Sequence, residues 1–340
     1  MQESFPARPS PRSSPPPSGR IEAIDIARAV ALVAMAIYHF TWDLEHFGYA
    51  TPGLTENGDW RLFARAIASS FLFLVGVSLV LANRKGIRWP AVWKRFAMIA
   101  AAAAAITLVT WFATPEAFIF FGILHEIALA SLIGLLFLRV PAVLSLLIAA
   151  AIVAAPYYLR SPFFDHPALW WVGLSPFDPH SNDYVPLFPW FAPVLAGIAC
   201  AKLAQRYGLF DALAAHPPGN WARPFTFAGR HSLTVYLLHQ PILFGSVWLY
   251  SQILPAPAIP PEARFTAACE EQCADNRDKA FCTRYCGCML DRLEAGGQLG
   301  TLFSKREDEA MRDNLQSLAL QCSQQTDDDL LRQGNEGGGQ

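Results

Sequence analysis

The sequence predicts an all-α, polytopic membrane protein, a helix bundle of about seven spans that carries a small Cys-rich helical tail outside the membrane. Of its 340 residues, 53% are hydrophobic and only 16% are charged, whereas soluble domains carry about 25% charged residues. The apolar residues form long runs up to about residue 254, and six of the seven Cys follow that point. The net charge of −2 leaves no basic excess, which argues against nucleic acid as a partner.

The elements follow in order from these runs. Residues 1–20 are rich in Pro, Ser and Arg and lack an apolar run, so they are predicted to be disordered and are not a signal peptide. The membrane domain is assigned to 21–254, because crossing a bilayer takes roughly 20 apolar residues. Its seven apolar segments lie at about 24–43, 62–83, 93–113, 118–138, 142–160, 186–204 and 229–251. The sixth contains Pro189 and Pro193, which membrane helices tolerate.

The distribution of Lys and Arg predicts the orientation. With the N-terminus in the cytoplasm, the outer loops between spans hold only Arg160, with Arg61 at a helix edge, and the inner segments hold 13 Lys and Arg. An odd number of spans then places the tail outside. We therefore expect a multi-pass protein of the inner cell membrane with a cytoplasmic N-terminus and an extracytoplasmic C-terminus.

The tail, assigned to 255–325, contains the spacing C-x3-C-x8-C-x3-C. In a hairpin of two antiparallel helices, residues that face each other have sequence numbers with a constant sum. This rule predicts that Cys269 bonds to Cys286 and Cys273 to Cys282. Cys288 and Cys322 remain for a third bridge. Disulfides fit an oxidising compartment, and a zinc site on four thiolates is the alternative. Residues 326–340 are predicted to be disordered.

Ionisable residues inside spans indicate function, because they are costly there. In the first span, helical spacing places four residues on one stripe: Arg28, His39, Asp43 and His46. Arg28 and His39 are roughly 16 Å apart along the axis. Simpler alternatives exist: an Asp25–Arg28 ion pair at a helix start, a structural His39 in the core, and an interfacial Asp43 that orients a histidine.

Later spans add further polar residues. Arg61 and Arg65 share one face near the outer surface, and Arg65 needs a carboxylate partner, either Asp43 or Glu126. Depth counting predicts a polar cavity that opens outward, with Arg28, Arg230 and His231 at the cytoplasmic side. Its residues are His39, Arg65, His125, Glu126 and His239.

Three motifs resemble the transmembrane acyltransferase superfamily, and most of all bacterial proteins with a heparan-alpha-glucosaminide N-acetyltransferase-like catalytic domain. They are I-D-x-x-R-x10-H in the first span, FLFLVGVSLVLA in the second and GRHSLTVYLLHQPIL in the seventh. The resemblance covers about residues 21–250. Arg28 and His39 match the family's Arg and His, and Ser232, Tyr236 and His239 match its late block. Many members have ten or eleven spans, and the lysosomal branch has an acidic residue near the position of Arg65.

The resemblance implies transfer of an acyl group, often acetyl, from a coenzyme A thioester to a sugar hydroxyl or amine across the membrane. The partners are then the bilayer and an envelope glycan, with acetyl-CoA as donor and no metal. We expect Arg28, Arg230, Arg61, Arg65, Ser232 and Tyr236 to bind substrate, and His39, Asp43, His125, Glu126 and His239 to form the catalytic set. His39 would act as a general base or be acylated transiently.

Three other functions fit the same residues. Buried His, Arg and Glu suit a proton-coupled transporter. A non-catalytic sensor would use the disulfide-bonded tail as its input module. Opposed histidines among His39, His125 and His239 would suit a haem protein.

Overall fold

The computed structural model describes residues 21–51, 53–257, 260–274, 276–302 and 309–337, without the side chains of 309, 310 and 333–337. The segment 1–20, predicted to be disordered, lies outside these ranges. The α-helices of the described chain are α1 Glu22–His46, α2 Gly58–Ala82, α3 Trp89–Ala113, α4 Ile123–Phe137, α5 Ala142–Tyr158, α6 Leu187–Arg206, α7 Leu209–Ala215, α8 Arg223–Arg230, α9 Ser232–Ile253, α10 Pro261–Ala274, α11 Lys279–Ala295, α12 Leu299–Leu302 and α13 Glu309–Gly337. Short 3₁₀ helices lie at Pro115–Ala117, Pro162–Asp165, Pro167–Val172 and Asn220–Ala222.

Four of the helices in the described ranges, α1, α2, α3 and α6, are long and apolar enough to cross a membrane. The apolar helices α4 and α5 are shorter, with 15 and 17 residues. The 22-residue α9 lies on the predicted seventh segment, and its middle carries His239, Gln240 and Pro241. These elements confirm an all-helical, multi-pass membrane protein.

The boundaries differ from the predicted ones mainly at α4. It begins at Ile123 rather than near residue 118, because the preceding residues pair with a returning loop instead of continuing the helix. The amides of Asn182 and Val185 donate to the carbonyls of Ala117 and Phe121 at 2.9 and 3.0 Å. Helices α7 and α8 are further elements that the hydrophobic pattern does not predict.

The chain divides into two compact units. The first contains 21–36 and 62–240, and the second contains 37–61 and 241–337. Helix α6 lies at the core of the first unit, where Leu195 and Ile198 are fully buried, and α4 and α5 pack against it. A β-carbon at Gly76 of α2 would collide with the Val194 carbonyl of α6, and one at Gly197 with the Phe73 carbonyl. The two helices therefore meet through their backbones.

A second apolar cluster in the first unit joins α3, α4 and the start of α9. Ile99 and Ala103 of α3 pack with Leu124 of α4, and Leu233 and Tyr236 of α9 lie against them. This packing places Tyr236, and the turn of α9 that ends at His239, beside the first turns of α4.

The second unit contains the tail, where three disulfides join α10, α11 and α13. The bonds are Cys269–Cys286, Cys273–Cys282 and Cys288–Cys322. They confirm the predicted pairing. Cys200 is a free, exposed cysteine on α6.

Helix α13 continues to Gly337, into the segment 326–340 that the sequence predicts to be disordered. The reason is packing that continues past residue 325. Thr326 is 2% exposed, and its hydroxyl donates to the Cys322 carbonyl at 2.7 Å. Asp327 accepts two hydrogen bonds from Arg277 at 2.8 and 2.9 Å.

Candidate functional site

Asp25, in the first turn of α1, is fully buried and gathers arginines from distant segments. The Arg28 guanidinium donates to the Asp25 carboxylate at 2.7 Å and to the Ser78 hydroxyl oxygen at 2.5 Å. Ser78 in turn donates to the Leu74 carbonyl, so its oxygen accepts from Arg28. Arg230 reaches the same carboxylate at 3.8 Å. The simple ion-pair alternative for Asp25 and Arg28 is therefore real, and it holds Arg28 in one orientation.

The packing of α8 against α1 brings Arg230 to this place. A β-carbon at Gly229 would collide with the Asp25 carbonyl, so only glycine permits this approach. Arg230 also lies 3.8 Å from Glu22, and Arg95 of α3 is near enough to repel Arg28 electrostatically. Three guanidinium groups thus gather around two carboxylates, which leaves one net positive charge.

His125 holds the start of α4. Its Nδ1 accepts from the Gly122 amide at 3.2 Å, and its Nε2 lies 3.2 Å from the Thr107 hydroxyl. The Thr107 hydroxyl donates to the Ile119 carbonyl, so Nε2 must carry the proton and donate. Both ring nitrogens of His125 are therefore engaged, which favours a structural role over the predicted proton transfer.

Asp183 is a residue of this region that sequence reasoning did not identify. Its carboxylate accepts from the Ile123 amide at 2.9 Å, at the N-terminal end of α4, where a helix favours negative charge. Burial raises the pKa of Asp183 to about 6, against the lowering effect of that hydrogen bond. Asp183 is also close enough to Tyr236 to act on it electrostatically. The loop around Asp183 has no periodic pattern, so its sequence gives no signal of this contact.

Glu126 and His239 are two further polar residues of the first unit. Glu126 is fully buried, and neither of its carboxylate oxygens has a hydrogen-bond partner among the described residues. The His239 Nδ1 lies 2.5 Å from the Tyr236 carbonyl, so Nδ1 carries the proton and Nε2 carries the lone pair in the neutral ring. That tautomer lets His239 accept a proton.

The outer arginines differ from the prediction. Arg65 is exposed and makes no ion pair with Glu126 or any other acid in the described ranges, because it lies on the outer face of α2. Arg61 is exposed as well. Ser232 begins α9 and is half-buried.

His39, Asp43 and Arg61 belong to the second unit, and the other predicted site residues belong to the first. The His39 ring is half-buried and lies edge-on to Tyr38, with centroids 5.6 Å apart. Asp43, one helical turn further on, is fully buried.

The loop after α1 is tied to that helix. Glu45 accepts hydrogen bonds from the backbone amides of Gly53 and Thr55 and from the Thr55 hydroxyl. The Tyr38 hydroxyl donates to the Thr55 carbonyl at 3.3 Å. The turn of α1 that carries His39 is therefore braced by the loop that follows it.

Comparison with known proteins gives one match. A family model described as heparan-alpha-glucosaminide N-acetyltransferase, catalytic, matches residues 20–241. The catalytic and substrate-binding residues that the sequence predicts, from Arg28 to His239, all lie within the matched range. No curated protein and no solved structure matches the chain.

Proposed function

Because the chain belongs to the heparan-alpha-glucosaminide N-acetyltransferase catalytic family, we propose that it transfers an acetyl group from acetyl-CoA to a hydroxyl or amine of a sugar in the cell envelope. The observation that carries the donor assignment is the convergence of Arg28 and Arg230 on Asp25. Two segments some 200 residues apart supply these cations, and a donor with phosphates needs cations at its entrance.

The proposed topology has seven spans, an N-terminus in the cytoplasm and a tail outside. Helices α4 and α5 are the short spans and α9 is the seventh. Three disulfides in the tail support an oxidising location for it. The excess of Lys and Arg in the opposite segments supports the same orientation.

Donor binding falls to Arg28 and Arg230 at the inner end of the bundle. A guanidinium fork matches phosphate oxygens in two hydrogen bonds. Because Asp25 and Ser78 fix the Arg28 group, the entropy lost on binding a phosphate is smaller than for a free side chain. Arg95 adds positive charge beside it.

The chemical step needs a base for the acceptor. In our proposal His39 takes the proton from the acceptor hydroxyl or amine as its oxygen or nitrogen attacks the thioester carbonyl carbon. The carbon–sulfur bond then breaks, and the departing thiolate takes the proton from the imidazolium. Asp43, one helical turn further along α1, orients His39.

A proton-coupled transporter is a second candidate function, and Glu126 favours it. A buried carboxylate without a hydrogen-bond partner inside a membrane helix is costly, and such groups carry protons in pumps and transporters. In the acetyltransferase, the same carboxylate would accept a hydrogen bond from the sugar.

Incubating membranes that contain the protein with radiolabelled acetyl-CoA tests the proposal. We expect label on an envelope glycan or on the protein, and almost none in an equally inserted His39→Ala variant, because the base is missing. An exposed histidine gives the matched control, His216→Ala, which we expect to retain activity. Membranes that incorporate no more label than protein-free ones would refute the acetyltransferase assignment, and label that persists in His39→Ala would remove His39 from the mechanism.

A further inference from the structure

A groove of about 440 Å³ opens in the first unit where α2, α4 and α6 end. Four cationic side chains line it: Arg84, Arg139, Lys202 and Arg206. Its lining contains no carboxylate, and Val80 and Leu138 supply apolar walls. Because the ends of three membrane helices meet there, the groove lies at one surface of the bilayer.

Only one of these four cations has a structural role as a partner of backbone carbonyls at a helix end. The Lys202 amino group donates to the carbonyls of Phe137 and Val140, at 2.6 and 2.5 Å, and so satisfies the end of α4. A structural role therefore explains Lys202.

Of the three arginines, Arg84 lies over the Phe210 ring at 5.5 Å from its centroid, and Arg139 and Arg206 remain available to a ligand. Arg84 lies 3.9 Å from Asp211, whose side chain is 83% exposed, and such a surface pair contributes little. Arg139 and Arg206 are exposed and make no ion pair with any acid in the described ranges. Two guanidinium groups without acidic partners, together with Arg84 at the same cavity, favour a phosphate ligand.

We propose that this groove binds the phosphate headgroup of an anionic phospholipid. Free phosphate has the same chemistry, but the surroundings favour a lipid. Leu136, three residues before Arg139, is 74% exposed, and Leu203, three before Arg206, is 37% exposed. Exposed apolar side chains this close in the sequence to the two arginines offer a surface for acyl chains. Basic pockets between membrane helices bind anionic headgroups in this way.

This site is separate from the residues proposed for acetyl transfer, because none of those residues lines the groove. Occupancy would stabilise the folded protein, because a ligand that binds only the native state raises its unfolding temperature. A specific anionic lipid is then part of the native structure of the first unit.

The test measures thermal unfolding of the full-length protein in neutral detergent with added dioleoyl phosphatidylglycerol. We expect the wild-type Tm to rise by about 3 °C or more at saturation, with no rise from dioleoyl phosphatidylcholine. The rise should be lost in Arg139→Gln/Arg206→Gln. The charge-matched control Lys85→Gln/Arg88→Gln changes exposed residues that do not line the groove and should keep it.

Two additions complete the test. Arg139→Lys/Arg206→Lys retains the charge and should recover part of the rise, which separates binding from a folding defect. Inorganic phosphate should leave the Tm unchanged at equal concentration. A full rise from inorganic phosphate, or an equal rise from the lipid in the glutamine variant of the groove, would overturn the proposal.

Discussion

Replacing Ser78 by alanine removes one of the two groups that hold the Arg28 guanidinium. The hydrogen bond is 2.5 Å long and joins a charged donor to a buried hydroxyl. Hydrogen bonds to charged groups contribute about 1.5–3 kcal/mol, which corresponds to roughly 10- to 150-fold in affinity. Asp25 continues to hold Arg28 at 2.7 Å, so we expect the lower end, about a tenfold weaker binding of the donor.

The assay measures the Kd of a non-reactive acetyl-CoA analogue by calorimetry, which needs no knowledge of the acceptor. The matched control is Ser131→Ala in α4. The Ser131 hydroxyl is buried and has no hydrogen-bond partner among the described residues, so its removal should leave the Kd unchanged. The maximal rate should change little in Ser78→Ala, because the contact that we propose for Arg28 is with the phosphates of the donor and not with the reacting carbonyl.

Equal affinities in Ser78→Ala and Ser131→Ala would refute this reasoning. Arg28 would then serve only to pair with Asp25, and the donor phosphates would have to bind elsewhere. A circular dichroism spectrum identical to the wild type would confirm that the comparison concerns binding and not folding.

Two further predictions concern stability. Removing the Cys288–Cys322 bridge, which spans 34 residues, should destabilise the tail by about 4 kcal/mol, because the unfolded chain gains loop entropy. The urea midpoint at which protease cleaves the tail of the full-length protein should therefore fall. Cys200→Ser, which breaks no bridge, is the control, and an unchanged midpoint without the bridge would contradict the prediction. Burial raises the pKa of Asp183 to about 6 in the folded protein, above its unfolded value near 4, so the folded state loses stability as the pH rises from about 4 to 6. The unfolding temperature of Asp183→Asn should not show this decrease with pH. An equal dependence of Tm on pH in both proteins would be inconsistent with the prediction.

The features that the sequence predicts well are those that a simple physical constraint imposes. The bilayer demands apolar runs of one length, so α1, α2, α3 and α6 are recognisable from composition. A helical hairpin demands a constant sum of paired positions, so the spacing of Cys269, Cys273, Cys282 and Cys286 determines their bridges.

The features that the sequence does not predict depend on where distant segments return. Asp183 acts at the start of α4 because a loop about 60 residues later in the chain folds back onto it. The proton on His125 Nε2 depends on Thr107 and on the extended residues before α4. The exposure of Arg65 depends on the rotation of α2, which spacing along one helix cannot give.

The close backbone approach of α2 and α6 at Gly76 and Gly197 has a consequence for interpreting sequence variation in relatives of this chain. Both positions should tolerate no other residue in a saturation mutagenesis screen, since even alanine would push two membrane helices apart. Such invariance resembles the signature of an active site. Here the invariance would reflect only how closely two helices pack. A screen that measures the amount of protein in the membrane alongside its turnover would distinguish a packing requirement from a catalytic one.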